Sequence, residues 1–359
     1  MKMLVDVIRS ETIKQGGVLP FARFMELALY CPKLGYYEAK KDSIGRRGDY
    51  YTSVSVGSLF GELLAFQFDE WLQDLTNQDS KLRIVEAGAH NGQLALDILT
   101  WLQSNRPAVL EQVEYCILEP SAQRAEWQRE ALRGFTVHWL SEFDPSTRIN
   151  GIIFSNELLD ALPVHRLGWD AGQKKWFEWG VTIQGDRFAW AKIEKVDFQS
   201  SVLNLPSLLL EVLPDNYTIE VCPAAEAWWR KATGSLDRGK LLTIDYGMTE
   251  DELFSPSRRN GTLRAFFQHQ FANDLLANPG EQDLTAHVNF SAVQKAGEEA
   301  GLKTELFMTQ SKFLTQVLEK TLKRKNFGEW TSAHARQFQT LTHPEHLGRA
   351  FRILVQSRG

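Results

Sequence analysis

The sequence predicts an α/β protein with a doubly wound, Rossmann-like core. Short segments that are apolar on both faces alternate with helical segments between about residues 81 and 247. This alternation is typical of a parallel sheet that helices cover on both sides. Three of the short segments end in glycines or acidic residues, and open α/β sheets bind their ligands at the carboxyl ends of the strands.

The amino-acid composition argues against several classes of function. The 359 residues carry a formal net charge of −5, which argues against general binding to nucleic acid. Three distant cysteines without metal-ligand spacing predict neither a disulfide framework nor a metal site. We expect a cytoplasmic protein, because no apolar run is long enough to span a bilayer and no signal-peptide core begins the chain.

Residues 1–80 are predicted to form a helical N-terminal cap. A short amphipathic helix ends at Gly16, and apolar residues favour helices over 21–30 and 58–75. The polar, glycine-containing stretch 39–49 reads as a loop.

The core is predicted over residues 81–163 and 217–359. Ser121 is a good N-cap for a helix that runs to Arg133, and a second helix covers 94–102. The predicted strands are 82–86, 115–118, 135–140, 151–154 and 241–244.

Residues 164–216 read as an aromatic-rich insertion between the fourth and fifth strands. Segments 175–183 and 187–193 resemble a hairpin, and a helix follows near 205–213. The tail after Gly247 begins with a polar loop, and we expect it to be mostly helical.

The first strand leads into a glycine turn, Glu86-Ala87-Gly88-Ala89-His90-Asn91-Gly92. Glycines let the backbone turn tightly and approach a nucleoside ligand closely. The second glycine falls four residues after the first, so this is not the dinucleotide fingerprint. A turn without a ligand is the alternative. For His90, a packing or hydrogen-bonding role is favoured over that of a general base.

Carboxylates stand at two further strand ends. Glu119 can accept hydrogen bonds from both hydroxyls of a ribose; alternatively, it stabilises the start of the following helix. Asn156, Glu157 and Asp160 follow the fourth strand. If this segment forms a helical turn, Glu157 and Asp160 face the same way and can hold a guanidinium or an amine. Their alternative role is to cap nearby backbone groups.

Eight segments in order resemble the MidA-like family of S-adenosylmethionine-dependent methyltransferases, over almost the whole chain. They are FARFMELALYCP (21–32), GDYYTS (48–53), FGELL (60–64), NELLDALP (156–163), EVCP (220–223), DYG (245–247), GTLR (261–264) and DLTAHVNF (283–290). Where the family's loop usually carries a third glycine, this chain has His90.

The resemblance implies a class I methyltransferase core that binds S-adenosyl-L-methionine. The residues expected to hold the cofactor are Asp49, Thr52, Glu86, Gly88, His90, Gly92, Glu119 and Asn156. Glu157 and Asp160 would orient the acceptor as catalytic residues. A protein substrate, with arginine as its acceptor, follows from the family's mitochondrial members, which are linked to complex I assembly through arginine methylation.

Two other functions remain open from the sequence. One is a non-catalytic assembly or interaction protein that keeps the fold, which His90 favours. The other is a methyltransferase of small molecules, which would have a closed apolar pocket. A homodimer is also left open. The glycine spacing disfavours an NAD-dependent oxidoreductase.

Overall fold

The computed structural model describes residues 3–39, 52–75, 81–144, 146, 148–196, 207–255, 258–267, 270–324, 327–345 and 347–359. The chain divides into two compact units. The first unit comprises Met1–Ser43, Leu159–Glu226 and Met248–Ala292, and the second comprises Ile44–Leu158, Ala227–Gly247 and Val293–Gly359.

Helices and strands are numbered in the order in which they occur along the chain. The helices are α1 (Leu4–Lys14), α2 (Phe21–Tyr30), α3 (Tyr36–Ala39), α4 (Ser53–Val56), α5 (Leu59–Gln73), α6 (Gln93–Asn105), α7 (Pro107–Gln112), α8 (Ala122–Ala131), α9 (Ser207–Val212), α10 (Pro223–Ser235), α11 (Glu250–Leu253), α12 (Phe290–Glu299), α13 (Gln310–Arg324) and α14 (Ser332–Thr342). The strands are β1 (Val18–Pro20), β2 (Leu82–Ala87), β3 (Val113–Leu118), β4 (Val137–Leu140), β5 (Ile149–Asn156), β6 (His165–Asp170), β7 (Lys175–Gln184), β8 (Arg187–Ile193), β9 (Thr218–Val221), β10 (Leu236–Met248), β11 (Arg264–Phe267), β12 (Gln270–Ala272), β13 (Asp283–Thr285), β14 (Val288–Asn289), β15 (Lys303–Thr309) and β16 (Phe351–Arg358).

The second unit is built on a mostly parallel sheet, with strand order β15-β16-β10-β5-β2-β3-β4. Strands β2, β3, β4, β5 and β10 pair in parallel, and β16 is antiparallel to both of its neighbours. From β2 the chain builds outward through β3 and β4, then returns to the other side of β2 with β5. The order therefore reverses between β2 and β5, where open α/β sheets bind ligands. The predicted doubly wound, Rossmann-like α/β class is confirmed.

The core of the second unit explains why these strands are apolar. Ile84, Ile152 and Phe154 are fully buried in the sheet, and the apolar side chains of α5 and α6 belong to the same cluster. Phe66 of α5 meets Trp101 of α6 edge to face. Burying both faces of the sheet requires strands without the polar–apolar alternation of an exposed sheet.

The first unit contains a separate antiparallel sheet, in which β1, β7, β6 and β9 are neighbours and β8 pairs with β7. The β7–β8 pair is the aromatic hairpin that the sequence predicted. Strands β12, β11 and β13 form a second, small sheet. Helices α1 and α2 contribute to one buried apolar cluster of this unit.

The tail after Gly247 is only partly helical, because it holds strands as well as helices α11 to α14. Strands β11 to β16 lie after Gly247, and β15 and β16 complete the sheet of the second unit. The partners of β15 and β16 are distant in the sequence and antiparallel, so their pairing is not a local signal. None of the helices in the described ranges is long and apolar enough to cross a membrane.

Candidate active site

The loop between β2 and α6 makes a tight turn with three positive φ angles. They occur at Gly88 (74°), His90 (44°) and Gly92 (85°). The amide of Gly92 donates to the Ala89 carbonyl at 2.7 Å, and Gly92 is the N-cap of α6. The turn therefore keeps its left-handed conformation at position 90 although the residue is not glycine, at a cost of about 1 kcal/mol.

Gly88 is constrained by space as well as by its backbone angle. A Cβ on this residue would lie 2.9 Å from Cδ1 of Leu158. Such a distance forces the leucine side chain to move. The left-handed backbone is what favours glycine here, because the Leu158 methyl group is the end of a flexible side chain and can shift.

Glu86, the last acidic residue before the turn, is buried with 2% of its surface exposed. The hydroxyl of Tyr115 on β3 donates to its Oε2 at 2.6 Å. Burial raises the pKa of Glu86 to about 7; the Tyr115 hydrogen bond opposes that rise and the charge of Asp97 adds to it. The Glu86 carboxyl therefore titrates near neutral pH.

Glu119 stands at the tip of β3, where its amide donates to the Leu140 carbonyl at 2.8 Å. Its Oε1 accepts from the Ser121 amide at 2.9 Å and from Nε and Nη2 of Arg124 at 3.0 and 2.7 Å. Its Oε2 accepts from Nε2 of Gln128 at 3.0 Å. The carboxylate thus contacts the first turn of α8, as the alternative interpretation of this residue expected, while both oxygens are fixed in position.

Strand β5 ends at Asn156, the neighbour of the glycine turn across the sheet. Its Nδ2 donates to Oε1 of Glu157 at 3.1 Å, and its Oδ1 is buried without a hydrogen-bond partner among the described residues. A buried acceptor without a partner costs free energy unless a ligand donates to it.

The helical turn predicted after β5 is wrong. Glu157 has a left-handed backbone, with φ 52°, and residues 157–162 form bends and turns instead of helix. The Glu157 amide donates to the carbonyl of Ile244 at 2.9 Å, so the segment continues from the sheet edge before it turns. Glu157 belongs to the second unit and Asp160 to the first, and an i, i+3 helical pairing does not relate them.

Asp160 is 3% exposed, and its carbonyl accepts from the Ala286 amide at 2.9 Å. Nearby, the Tyr37 hydroxyl donates to Oδ1 of Asp283 at 2.8 Å. Burial raises the pKa of Tyr37 well above 10, and the charges of Asp283 and Asp160 add to that rise. Asp160 therefore lies in a buried region of the first unit that also holds a second carboxyl and a tyrosine.

Of the two residues that the N-terminal signature placed near the cofactor, the structure describes one, Thr52. Thr52 is the N-cap of α4, and its Oγ1 accepts from the Ser55 amide at 3.2 Å. Ser53 is fixed by a hydrogen bond to Oε1 of Gln310 at 3.0 Å. Asp49 lies outside the described residues. No group of three His, Cys, Asp or Glu side chains suited to a metal ion occurs in the described parts of the chain.

A family model described as "Putative S-adenosyl-L-methionine-dependent methyltransferase" matches residues 63–308, more than half of the chain. The chain belongs to this family. A Burkholderia thailandensis protein described as a "likely methyl transferase", solved with S-adenosyl-homocysteine, is 31% identical with a TM-score of 0.85; the match covers 99% of this chain and 92% of that one. A native structure of a related protein from the same organism is 30% identical over 99% and 91% of the two chains, with a TM-score of 0.82.

Curated proteins are also similar to this chain over nearly its whole length. The mitochondrial protein arginine methyltransferase NDUFAF7 of Danio rerio is 27% identical, over 98% of this chain and 86% of its own length. Its homologue from Drosophila melanogaster is 25% identical, over 99% and 85%. The predicted family, enzyme class and cofactor are thereby confirmed: the protein is a methyltransferase that uses S-adenosylmethionine.

The observed residues fit this cofactor. The turn at Gly88 follows β2, and Asn156, whose Oδ1 accepts no hydrogen bond within the described parts of the chain, ends the neighbouring strand β5. The cofactor carries donors that such an acceptor needs, namely an ammonium group, an adenine amine and two ribose hydroxyls.

Sequence reasoning missed residues that fix the positions of the candidate site residues. They are Tyr115 beneath Glu86, and Arg124 and Gln128 on α8 beside Glu119. A signal for the last two exists in the sequence, because they lie four apart on a helix that begins directly after Glu119 and so share one face. No local pattern marks Tyr115, whose partner is 29 positions away.

Proposed function

We propose that this methyltransferase methylates a nitrogen of a protein side chain, and that the nitrogen belongs to an arginine guanidinium. The observation that carries the proposal is the match to relatives named protein arginine methyltransferases along 98% of this chain. A match of this length includes the segments outside the central sheet as well as the sheet itself. It therefore favours a shared reaction over a shared fold alone.

The cofactor would be held by the residues of the sheet edge. In this proposal Glu119 binds the ribose hydroxyls. The cofactor lies against the backbone of Gly88, His90 and Gly92, and Glu86 and Asn156 make polar contacts with it. Thr52 and Asp49 complete the proposed set from the N-terminal signature. When bound, the cofactor supplies a methyl group on a sulfonium, an electrophile that a positioned neutral nitrogen attacks in line.

Glu157 and Asp160 would act on the acceptor. A guanidinium is cationic and planar, so carboxylates recognise it by charge and by paired hydrogen bonds. Its nitrogen lone pairs are delocalised, and a carboxylate that fixes the group's plane favours attack by one nitrogen. Support comes from the burial of Asp160 and from the turn at Glu157, which follows directly on β5.

The direct test uses the purified protein, S-adenosylmethionine labelled in its methyl group, and a lysate of cells grown with an inhibitor of methylation. We expect a labelled protein band that yields methylarginine on acid hydrolysis. Label recovered as methyl-lysine would overturn the arginine assignment, and label found only in small molecules would overturn the protein substrate.

Replacement of Asp160 separates acceptor handling from cofactor binding. In Asp160→Asn we expect S-adenosyl-homocysteine to bind as in the wild type by calorimetry, while turnover falls by about 100-fold or more, because a lost charge-assisted contact is worth about 1.5–3 kcal/mol and misorientation adds to it. The fully exposed Asp186 of the same unit provides the matched control, Asp186→Asn. An Asp160→Asn enzyme with full turnover would remove Asp160 from the acceptor site.

The NDUFAF7 relatives from Danio rerio and Drosophila melanogaster are mitochondrial proteins. The cytoplasmic location expected from the sequence therefore stays a prediction, and a homodimer stays open.

A further inference from the structure

One glutamine side chain links three segments of the second unit. Gln128 on α8 is fully buried, and its Nε2 donates to the His90 carbonyl in the glycine turn at 3.0 Å and to Oε2 of Glu119 at 3.0 Å. Its Oε1 accepts from Nε1 of Trp139 on β4 at 2.9 Å. The amide thus uses both of its donor hydrogens and its acceptor.

The chemistry of the partners fixes which way this amide points. An indole N–H only donates, and a peptide carbonyl only accepts. If the Gln128 amide were flipped, its oxygen would face the His90 carbonyl and the Glu119 carboxylate, and its NH₂ would face the Trp139 N–H. All three contacts would become repulsive, so Trp139 keeps both donors directed at the turn and at Glu119.

The two oxygens of Glu119 are not equivalent. Oε1 accepts three hydrogen bonds, from Ser121 and twice from Arg124. Among the described residues, Oε2 accepts from Gln128 alone. Since a carboxylate oxygen has two lone pairs, the acceptor capacity that Glu119 retains for a ligand lies on Oε2, the oxygen that Gln128 orients.

We propose that Gln128 is a positioning residue for the cofactor. Its side chain sets the direction of Glu119 Oε2 and fixes the position of the His90 peptide relative to that oxygen. The inference rests on the proposed ribose role of Glu119. It assigns to one side chain the task of keeping two strand-end loops at a fixed separation. It also explains how a histidine is accommodated in the turn, since the left-handed peptide at His90 is held through its carbonyl.

The test measures recognition of the ribose hydroxyls. Calorimetry gives the affinities of the wild type for S-adenosyl-homocysteine and for its 2′-deoxy and 3′-deoxy analogues. We expect the wild type to bind at least one analogue about tenfold or more weakly, the effect of losing a hydrogen bond to a charged group.

In Gln128→Met, which keeps the length of the side chain and removes its polar atoms, we expect this ratio to fall to about threefold or less. A merely structural role would weaken all three ligands equally and leave the ratio unchanged. Gln123→Met is the matched control, because Gln123 is exposed on the same helix, and the wild-type ratio should persist in it.

A second variant keeps the test decisive if Gln128→Met does not fold. Trp139→Phe removes the donor that orients the amide and leaves Gln128 in place, so we expect an intermediate ratio. Wild-type discrimination retained in both variants, or in Trp139→Phe alone if only it folds, would overturn the role of Gln128 while leaving Glu119 intact. A wild type that does not distinguish the deoxy analogues would instead refute the ribose role of Glu119, and the positioning role with it.

Discussion

Single residues at the strand ends determine the shape of the glycine turn. At Gly88, the backbone conformation disfavours a larger residue, and the end of the Leu158 side chain would have to shift to admit one. At His90 only the conformation is unusual, and a hydrogen bond from Gln128 to the carbonyl supports it. The two positions therefore differ in how they tolerate substitution.

We expect Gly88→Ala to lower both stability and cofactor affinity. The left-handed conformation costs alanine about 1–2 kcal/mol, and the new methyl group must displace Leu158, whose backbone follows β5 directly. Chemical denaturation should report the stability loss, and calorimetry should show weaker binding of S-adenosyl-homocysteine.

Gly134→Ala serves as the control for this variant, because a Cβ at Gly134 would meet no atom within 4 Å. It should behave as the wild type. A Gly88→Ala protein with unchanged affinity would show that the turn does not approach the cofactor.

The residues of the site differ in how far the sequence predicted them. Glu119 and the glycines were predictable, because strand ends and turn chemistry are local signals. The conformation at Glu157 was not, since a helical turn and a left-handed bend can follow the same strand-end sequence. Tyr115 was hidden because its role depends on the register of β3 against β2.

At the scale of helices and strands, the sequence predicted the elements that are determined by a local pattern of apolar and polar residues. Helix α2 spans the predicted residues 21–30, and the hairpin strands β7 and β8 lie where predicted. Strands β15 and β16 were missed because they pair antiparallel with partners that are distant in sequence, and no local pattern signals such pairing. Strand β10 was predicted too short because its ends carry polar residues. The pairing with β16 nevertheless extends beyond the predicted residues at both ends.

The centre of the sheet depends on a close approach of three strands at Gly151 of β5. This residue pairs with Arg83 of β2 on one side and with Gly239 of β10 on the other. Its φ is 141°, and a Cβ would overlap the Arg83 carbonyl oxygen. Neither neighbouring strand can move away without loss of its own hydrogen bonds.

We therefore expect Gly151→Ala to lower the free energy of unfolding by about 3 kcal/mol or more, the sum of backbone strain and overpacking. Urea denaturation followed by circular dichroism measures it. In the control, Gly234→Ala, the new methyl group meets no atom within 4 Å and the residue lies in α10, so stability should stay equal or rise slightly. Equal midpoints for the two variants would contradict the close approach.

At the scale of the whole molecule, topology brings together residues that are far apart in sequence. Glu86, Glu119 and Asn156 lie at the ends of three different strands, and these ends share one edge because β5, β2 and β3 are adjacent and parallel. Two carboxyl groups of the second unit have a raised pKa, that of the buried Glu86 on β2 and that of the half-buried Asp97 on α6. Burial raises the pKa of Glu86 to about 7 and that of Asp97 to about 6.

These two groups make the stability of the protein depend on pH in a definite direction. The unfolded chain ionises Glu86 above its ordinary pKa of 4.5, whereas the folded chain keeps the proton until about 7. The contribution of Glu86 is thus fully present below pH 4.5 and is lost as the pH rises to 7, by up to about 3 kcal/mol. Asp97 acts in the same direction between 3.8 and about 6.

Glu86→Gln should remove the part of this pH dependence that belongs to Glu86. Glutamine does not ionise and can still accept from the Tyr115 hydroxyl, so the variant should lose less stability than the wild type between pH 5 and 7.5. Urea unfolding across this range measures the difference, and Glu142→Gln, at an exposed position, should follow the wild type. Parallel curves for Glu86→Gln and the wild type would mean that Glu86 is already ionised in the folded protein, with its charge stabilised at the edge of the sheet.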